Sequence, residues 1–182
     1  MRTLSRCWKK LRPGWMNDKY VKQTEMPPET LLPRWGCFFM CLGAMAQTYT
    51  GTHLSKERVE VVYWVCREVE GWDRKPVLEV VHHELHCNDP DTALMKFLQH
   101  CWHDQSVAKG YVAKQTGDET GWATWVLPEN HKCNYTLVRK QTANGGHWVL
   151  GDAMRNMLWD PHGGLKWTDT STYRQFYIGG TG

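Results

Sequence analysis

One apolar stretch decides how this chain folds: Trp35-Gly36-Cys37-Phe38-Phe39-Met40-Cys41-Leu42-Gly43-Ala44-Met45-Ala46-Gln47-Thr48-Tyr49. Pro33 and Gly36 interrupt regular structure near its start, so the stretch predicts a helix that begins at Gly36 or Cys37. Gly51 follows the stretch, and a glycine is common just past a helix end. The apolar side chains recur at helical spacing and predict a helix buried on most of its surface: Phe38, Leu42, Met45 and Tyr49.

This helix carries a cysteine in its predicted first turn. The unpaired N–H groups and the partial positive charge of a helix start favour a thiolate there. Cys41 lies one turn further in, where that effect fades and apolar neighbours favour the neutral thiol. Cys37 is therefore the candidate nucleophile.

The charge of the chain is concentrated at its N-terminus. The 182 residues have the length of one domain and a net charge of +3, but residues 1–34 contain eight basic and three acidic side chains. We expect residues 1–34 to form a basic N-terminal extension and residues 35–182 to form the domain. Such a basic extension can contact nucleic acid, but this one lacks a sustained basic run and the rest of the chain is slightly acidic. We therefore favour the interpretation that residues 1–34 are a solvent-exposed segment that packs loosely on the domain.

The remaining chain predicts helices first and strands afterwards. Ser55 begins a second helical pattern that runs to Gly71, and Asp89 begins another. Residues 77–87 are predicted as a short helix. Short segments rich in β-branched and aromatic residues follow and predict strands near 107–114, 122–127, 133–140, 146–151, 156–160 and 173–178. Helices followed by an antiparallel sheet are typical of the α+β class.

A predicted hairpin places a histidine near an acid. If the turn is centred between Ala153 and Met154, His147 faces Asp160 across the two strands, and opposed Cβ atoms lie about 4.5–5.5 Å apart. An imidazole–carboxylate hydrogen bond would set the tautomer of His147 and raise its basicity, as a general base beside a thiol requires. Asp152 would lie roughly 16 Å away, at about 3.3 Å per residue. A one-residue shift of the strand register would move His147 and Asp160 to opposite faces of the sheet, so this predicted contact depends on the register.

Three motifs in this order resemble those of papain-like cysteine peptidases of the bacteriocin-processing type. The first is Gly36-Cys37-Phe38-Phe39-Met40-Cys41-Leu42 with Met45, Tyr49 and Gly51; the others are His147-Trp148-Val149-Leu150 with Asp160-Pro161, and Phe176-Tyr177-Ile178-Gly179. The sequence is also similar to small uncharacterised phage and bacterial proteins that share the Gly-Cys-Phe-Phe and His-x-Val-Leu-Gly-Asp patterns. The resemblance covers residues 35–51 and 145–180.

The resemblance implies a papain-like fold, with N-terminal helices packed on an antiparallel β-sheet. It implies that Cys37, His147 and Asp160 form a catalytic triad that cleaves an amide bond in a peptide or protein substrate, without cofactor or metal. It further implies an origin in a phage or a bacterium, with a viral or host protein as an additional partner.

Two positions depart from the family pattern. Leu31 stands where the family has a glutamine that stabilises the oxyanion, and Phe38 stands where a glycine is common. Gln23 and Gln47 are alternative amide donors if the fold brings either of them to the site. The competing hypothesis is a catalytically inactive protein of the same fold, with a structural or interaction role such as one in a phage particle; eleven tryptophans favour an extensive aromatic core or contact surface.

A histidine- and cysteine-rich region offers a second kind of site. On a helix, His82 with His86 and His83 with Cys87 would form i,i+4 pairs suited to a structural zinc ion; His100, Cys101 and His103 lie further along. His83-Glu84-Leu85-His86-Cys87 lacks the second histidine of a His-Glu-x-x-His metalloprotease motif. The alternative is a helix with solvent-facing imidazoles and buried thiols.

Cysteine usage and hydropathy bear on the compartment. Seven cysteines without paired short spacings favour a reducing environment. The basic N-terminal residues are not followed by the apolar run that a signal peptide would have. No stretch of the sequence approaches the roughly 18 apolar residues of a membrane-spanning helix. We expect a protein of the bacterial or phage-infected cytoplasm, with the virion as the second location.

Overall fold

The computed structural model describes residues 20–102, 111–117 and 133–180. Helices and one two-stranded hairpin occupy the first half of this described chain, and a five-stranded antiparallel sheet occupies the second half. The predicted α+β class is confirmed.

Four α-helices lie in the described residues, preceded by two short 3₁₀ turns at Gln23–Glu25 and Pro28–Thr30. The helices are Leu32–Trp35 (α1), Cys37–Thr50 (α2), Lys56–Glu68 (α3) and Pro90–Trp102 (α4). α2 begins at the predicted cysteine, and Gly51 ends it in the left-handed conformation with φ of 69°.

Side-chain caps start α3 and α4 at the predicted residues. The Ser55 hydroxyl accepts a hydrogen bond from the Arg58 N–H at 3.2 Å, and the Asp89 carboxylate accepts one from the Thr92 N–H at 3.0 Å. Each bond satisfies a backbone donor that the first helical turn leaves unpaired. α3 ends at Glu68, short of the predicted end at Gly71.

The predicted helix over residues 77–87 is wrong. The segment forms an antiparallel hairpin of Leu78–Val81 (β1) and Glu84–Cys87 (β2), with Val81 paired to Glu84. His82 and His83 make the two-residue turn with φ of 48° and 64°, the positive values that such tight hairpin turns require. The β-branched pair Val80-Val81 is the local signal for a strand, and it outweighs the helical spacing of the histidines.

Five strands form the main sheet, in the order β3-β7-β4-β5-β6 with every pairing antiparallel. They are Tyr111–Gly117 (β3), Tyr135–Thr142 (β4), Gly145–Asp152 (β5), Met157–Trp159 (β6) and Thr168–Gly180 (β7). Five of the predicted strand segments overlap these strands, and the sixth, 122–127, lies outside the described residues.

α2 lies at the centre of the core, between α4 and the sheet. Its residues from Phe39 to Gln47 are all buried, and buried strand residues such as Leu137 and Leu150 join them in one apolar cluster. Gly43 allows a close approach of the helices, since a Cβ there would lie 2.9 Å from the Phe97 ring of α4. The core therefore holds the first turn of α2 beside the sheet.

Part of the predicted N-terminal extension packs against this core. Tyr20, Met26 and Leu32 are buried in the apolar cluster, and the Gln23 N–H donates to the Pro161 carbonyl at 2.9 Å. Residues 20–34 thus cover the end of the sheet where β6 stops; residues 1–19 lie outside the described residues.

Candidate active site

The start of α2 presents Cys37 at the surface of the core. The Gly36 N–H donates to Leu32 at 2.9 Å, and the Gly36 carbonyl accepts from Met40 at 2.8 Å, so Gly36 ends α1 and begins α2. A side chain at this position would lie 2.6 Å from the Leu32 carbonyl oxygen, which explains the glycine. Cys37 is half-buried, whereas Cys41 one turn later is fully buried.

His147 and Asp160 are in direct contact. The His147 Nε2 lies 2.7 Å from the Asp160 Oδ1, and the two residues are only 4% and 1% exposed. The predicted contact is therefore confirmed, but the predicted register is wrong. The strands pair Leu150 with Trp159 and Gly151 with Met157, across a bulge. Continuing that register would place Asp160 diagonally from His147 on the same face of the sheet, within reach of an imidazole.

Asp152 lies at the opposite end of the hairpin from His147, as the predicted separation of these two residues implied. Its Oδ1 accepts hydrogen bonds from the backbone N–H groups of Met154 and Asn156, both at 2.9 Å. This acid closes the β5–β6 turn and does not orient His147.

His147 has Asp160 as its hydrogen-bond partner and Cys37 as its neighbour in the cleft. Nε2 faces Asp160, and Cys37 and His147 line the same cleft. Burial by itself lowers the pKa of His147, but the interactions with Asp160 and Cys37 outweigh it and raise that pKa to about 9. The site thus favours an imidazolium that lies beside both a carboxylate and a sulfur.

Asp160 is held in its charged form. Burial raises the pKa of its carboxyl group, but hydrogen bonds from His147 and from the backbone N–H of His162 outweigh burial and lower the pKa below its ordinary value. The His162 N–H lies 2.9 Å from Oδ1, the same oxygen that binds His147. The carboxylate can therefore both orient the imidazole and stabilise its positive charge.

Cys37 and His147 open onto a cleft of about 520 Å³. The β4–β5 turn forms one wall of this cleft. The other two walls are the segment from Pro33 to Trp35 and the segment that follows Asp160. The lining residues are Gln23, Pro33, Arg34, Trp35, Cys37, Thr142, Asn144, Gly146, His147, His162 and Leu165. A chain segment of a substrate could thus reach the sulfur from solvent.

The structure distinguishes the two glutamines left open by the sequence. Gln23 lines the cleft, is 3% exposed and donates from Nε2 to the Pro33 carbonyl at 3.0 Å. Gln47 instead bonds to Gly43 and Leu54 near the far end of α2. Leu31 is absent from the cleft lining. Gln23 was not assigned from sequence because the contact that places it, with Pro161, spans most of the chain.

Phe38, at the other departure from the family pattern, belongs to an aromatic cluster below the site. Its ring meets that of Trp148 edge to face, with centroids 5.4 Å apart, and lies near Phe176. The Arg174 guanidinium stands over both the Phe38 and Trp148 rings. This cluster ties the start of α2 to β5 and so helps to hold Cys37 beside His147.

The histidine- and cysteine-rich region forms no metal cluster in the described part of the chain: no three potential ligands come together there. The helical i,i+4 argument for His82, His83, His86 and Cys87 is wrong, because these residues lie on a hairpin. His82 and His83 are exposed in its turn, and His103 lies outside the described residues.

Comparison with protein-family models, with curated proteins and with solved structures finds no match for this chain. Within residues 20–102, 111–117 and 133–180, every helix is too short or too polar to cross a membrane. Function therefore has to be inferred from the geometry of the site.

Proposed function

We propose that this protein is a cysteine hydrolase of papain-like fold that cleaves amide bonds in peptides or proteins. The observation that carries the proposal is the buried pair of Asp160 and His147, with His147 and Cys37 lining one open cleft. A helix that presents the cysteine against an antiparallel sheet that carries the histidine, with an acid following, also agrees with the resemblance in residues 35–51 and 145–180.

The residues support nucleophilic catalysis with an acyl-enzyme intermediate. His147 accepts the thiol proton at Nδ1, and the Cys37 sulfur attacks the substrate carbonyl carbon. The protonated imidazole then gives its proton to the leaving amine as the C–N bond breaks. Water, deprotonated by His147, attacks the thioester, and the acid product leaves as the thiol is restored. Asp160 keeps Nε2 oriented throughout.

Two donors are placed to stabilise the oxyanion that forms in each step. The backbone N–H of Cys37 lies in the first turn of α2, where N–H groups have no partner within the helix. Gln23 supplies an amide on the cleft wall. Its Nε2 donates to the Pro33 carbonyl at 3.0 Å and, over a longer distance of 3.5 Å, to the Leu32 carbonyl, so the longer bond is the one to exchange for an oxyanion. We propose Gln23 in the role that Leu31 cannot fill.

The experiment that tests this function is alkylation of Cys37 by iodoacetamide across pH, read by mass spectrometry, in the wild type and in His147→Ala. We expect the wild type to react at about pH 6, where ordinary thiols react slowly, and the variant to react at least about tenfold more slowly. His86→Ala is the matched control, because His86 is an exposed histidine on β2, outside the cleft.

The buried cysteines provide an internal control in the same experiment. Burial raises the pKa of the thiols of Cys41, Cys66, Cys87, Cys101 and Cys133, so we expect modification to be confined to Cys37 among these six residues. Hydrolysis of fluorescently labelled casein, lost in Cys37→Ser, would complete the test. An ordinary thiol profile that His147→Ala leaves unchanged, without hydrolysis, would contradict the proposal and favour the non-catalytic alternative.

A further inference from the structure

The lining of the cleft beside Cys37 includes an arginine, Arg34. None of the lining residues is an aspartate or a glutamate. The Arg34 guanidinium stands over the Trp35 ring at 5.1 Å from the centroid, and both residues line the cleft. Such stacking covers a face of the guanidinium and leaves the N–H donors at its edge for a carboxylate.

Two further cations lie directly behind glycines of this region. The Arg139 guanidinium occupies the space that a Cβ at Gly146 would take, and Gly146 lines the cleft next to His147. On the other side, the Lys22 Nζ lies 3.2 Å from the place of a Cβ at Gly163. Arg139 thus lies next to one residue of the cleft lining, and Lys22 lies next to the segment that follows Asp160; neither side chain lines the cleft itself.

The acidic side chains of this region do not line the cleft. Asp160 is 1% exposed and is bound to His147. Of the described residues that line the cleft, Arg34 carries the side chain with a permanent positive charge.

We propose that the cleft selects substrates that carry a carboxylate next to the scissile amide, and that Arg34 is the residue that recognises it. This specificity rests on the hydrolase activity proposed above. Arg34 is suited to the task because a guanidinium binds a carboxylate through two parallel hydrogen bonds.

The test compares two alkylating reagents of similar size, anionic iodoacetate and neutral iodoacetamide. Both react with the same thiolate, so the ratio of their rates at Cys37 reports the charge around the sulfur and cancels its intrinsic reactivity. We expect Arg34→Gln to lower the ratio of iodoacetate to iodoacetamide rates by about two- to fivefold, the range of an exposed ion pair. High salt should reduce the difference between wild type and variant.

Arg58→Gln is the matched control, since Arg58 is an exposed arginine at the start of α3 and does not line the cleft. It should leave the ratio unchanged. An equal ratio in the wild type and Arg34→Gln would overturn the proposal, and so would an equal fall in Arg58→Gln. Because the iodoacetamide rate alone tests the thiolate, the two proposals can fail independently.

A second measurement separates the two sources of a carboxylate. A peptide library from digested bacterial protein, incubated with the full chain, reports cleavage sites by mass spectrometry. Enrichment of Asp or Glu beside the cleaved bond would support side-chain recognition. Cleavage confined to chain ends and lost on C-terminal amidation would support recognition of the terminal carboxylate. Cleavage without either preference would overturn the specificity and leave the hydrolase standing, whereas no cleavage would contradict the hydrolase itself.

Discussion

His147 lies beside a carboxylate and a thiol. Its burial opposes a positive charge, and the bond to Asp160 is the largest influence that favours one, ahead of Cys37. Loss of the carboxylate would therefore remove the main opposition to burial and favour the neutral imidazole.

We predict that Asp160→Ala lowers the pKa of His147 from about 9 into or below its ordinary range, because burial then acts without the carboxylate. The titration of the imidazole signals by NMR measures this directly. Asp152→Ala is the control, since Asp152 lies in the same hairpin but bonds only to its turn. A His147 titration that Asp160→Ala does not move would contradict the assignment of Asp160.

Gln23 provides a second test at the level of one side chain. We predict that Gln23→Ala lowers kcat for casein hydrolysis on the order of 10²–10³-fold, the effect of removing one oxyanion donor. Its iodoacetamide rate should stay near the wild-type value, because alkylation forms no oxyanion.

Gln47→Ala distinguishes this role from a general effect of losing a buried amide. Gln47 is 4% exposed and joins α2 to Leu54, so its loss should reduce stability and leave kcat unchanged at temperatures where the protein is folded. Equal effects of the two substitutions on kcat would argue against an oxyanion role for Gln23.

Among the helices, α4 depends on an acid that joins two segments. Asp89 is 2% exposed and accepts hydrogen bonds from the Thr92 N–H and hydroxyl at the start of α4. It also accepts the Trp72 N–H at 3.0 Å, from the segment before the β1–β2 hairpin. One carboxylate thus caps the helix and anchors the preceding loop.

We predict that Asp89→Ala lowers the free energy of unfolding by about 2–3 kcal/mol, because it leaves several donors without a partner in a buried place. Ser55→Ala removes a comparable cap from α3, but that cap is exposed, so its cost should be about 0.5–1 kcal/mol. Urea denaturation followed by circular dichroism measures both. Equal costs would contradict the anchoring role of Asp89.

At the scale of the whole molecule, a charged pair lies between the helices and the sheet. His147 and Asp160 are among the few buried polar residues of the described chain, and their pairing connects folding to proton binding. The raised pKa of His147 stabilises the folded state below the ordinary histidine pKa of about 6.5, and this stabilisation is lost as the pH rises toward about 9. The lowered pKa of Asp160 stabilises the folded state above its ordinary value near 3.8, and that contribution is lost as the pH falls further.

We predict that the wild type loses up to about 3 kcal/mol of stability between about pH 6.5 and pH 9.5 through His147, which follows from the size of its pKa shift. The difference in urea unfolding free energy between the wild type and His147→Ala, measured across this range, isolates the contribution from that of the buried thiols. In the His86→Ala variant, the free energy of unfolding should change with pH as it does in the wild type. A difference that stays constant with pH would show that His147 does not titrate in this way.

The features that the sequence determined by itself depend on residues that are close together along the chain. The start of α2 at Cys37, its end at Gly51, and the caps at Ser55 and Asp89 all follow from contacts within a few residues. The short segments rich in β-branched and aromatic residues in the second half likewise predicted the antiparallel strands. The order of cysteine, histidine and acid was also visible, as was the contact of His147 with Asp160, since the hairpin that joins them is local.

Only the tertiary structure decided the rest, because those features depend on segments that are distant in the chain or on energies that nearly balance. Residues 77–87 are too short for periodicity to separate a helix from a hairpin. A bulge shifted the β5–β6 register that spacing alone had set. Gln23 reaches the cleft through a bond to Pro161, and Arg34 lines the same cleft as Asn144 and His162, which lie more than a hundred residues further along the chain. No local pattern records contacts of that range, so the proposed oxyanion donor and the arginine of the cleft lining became visible only in the folded molecule.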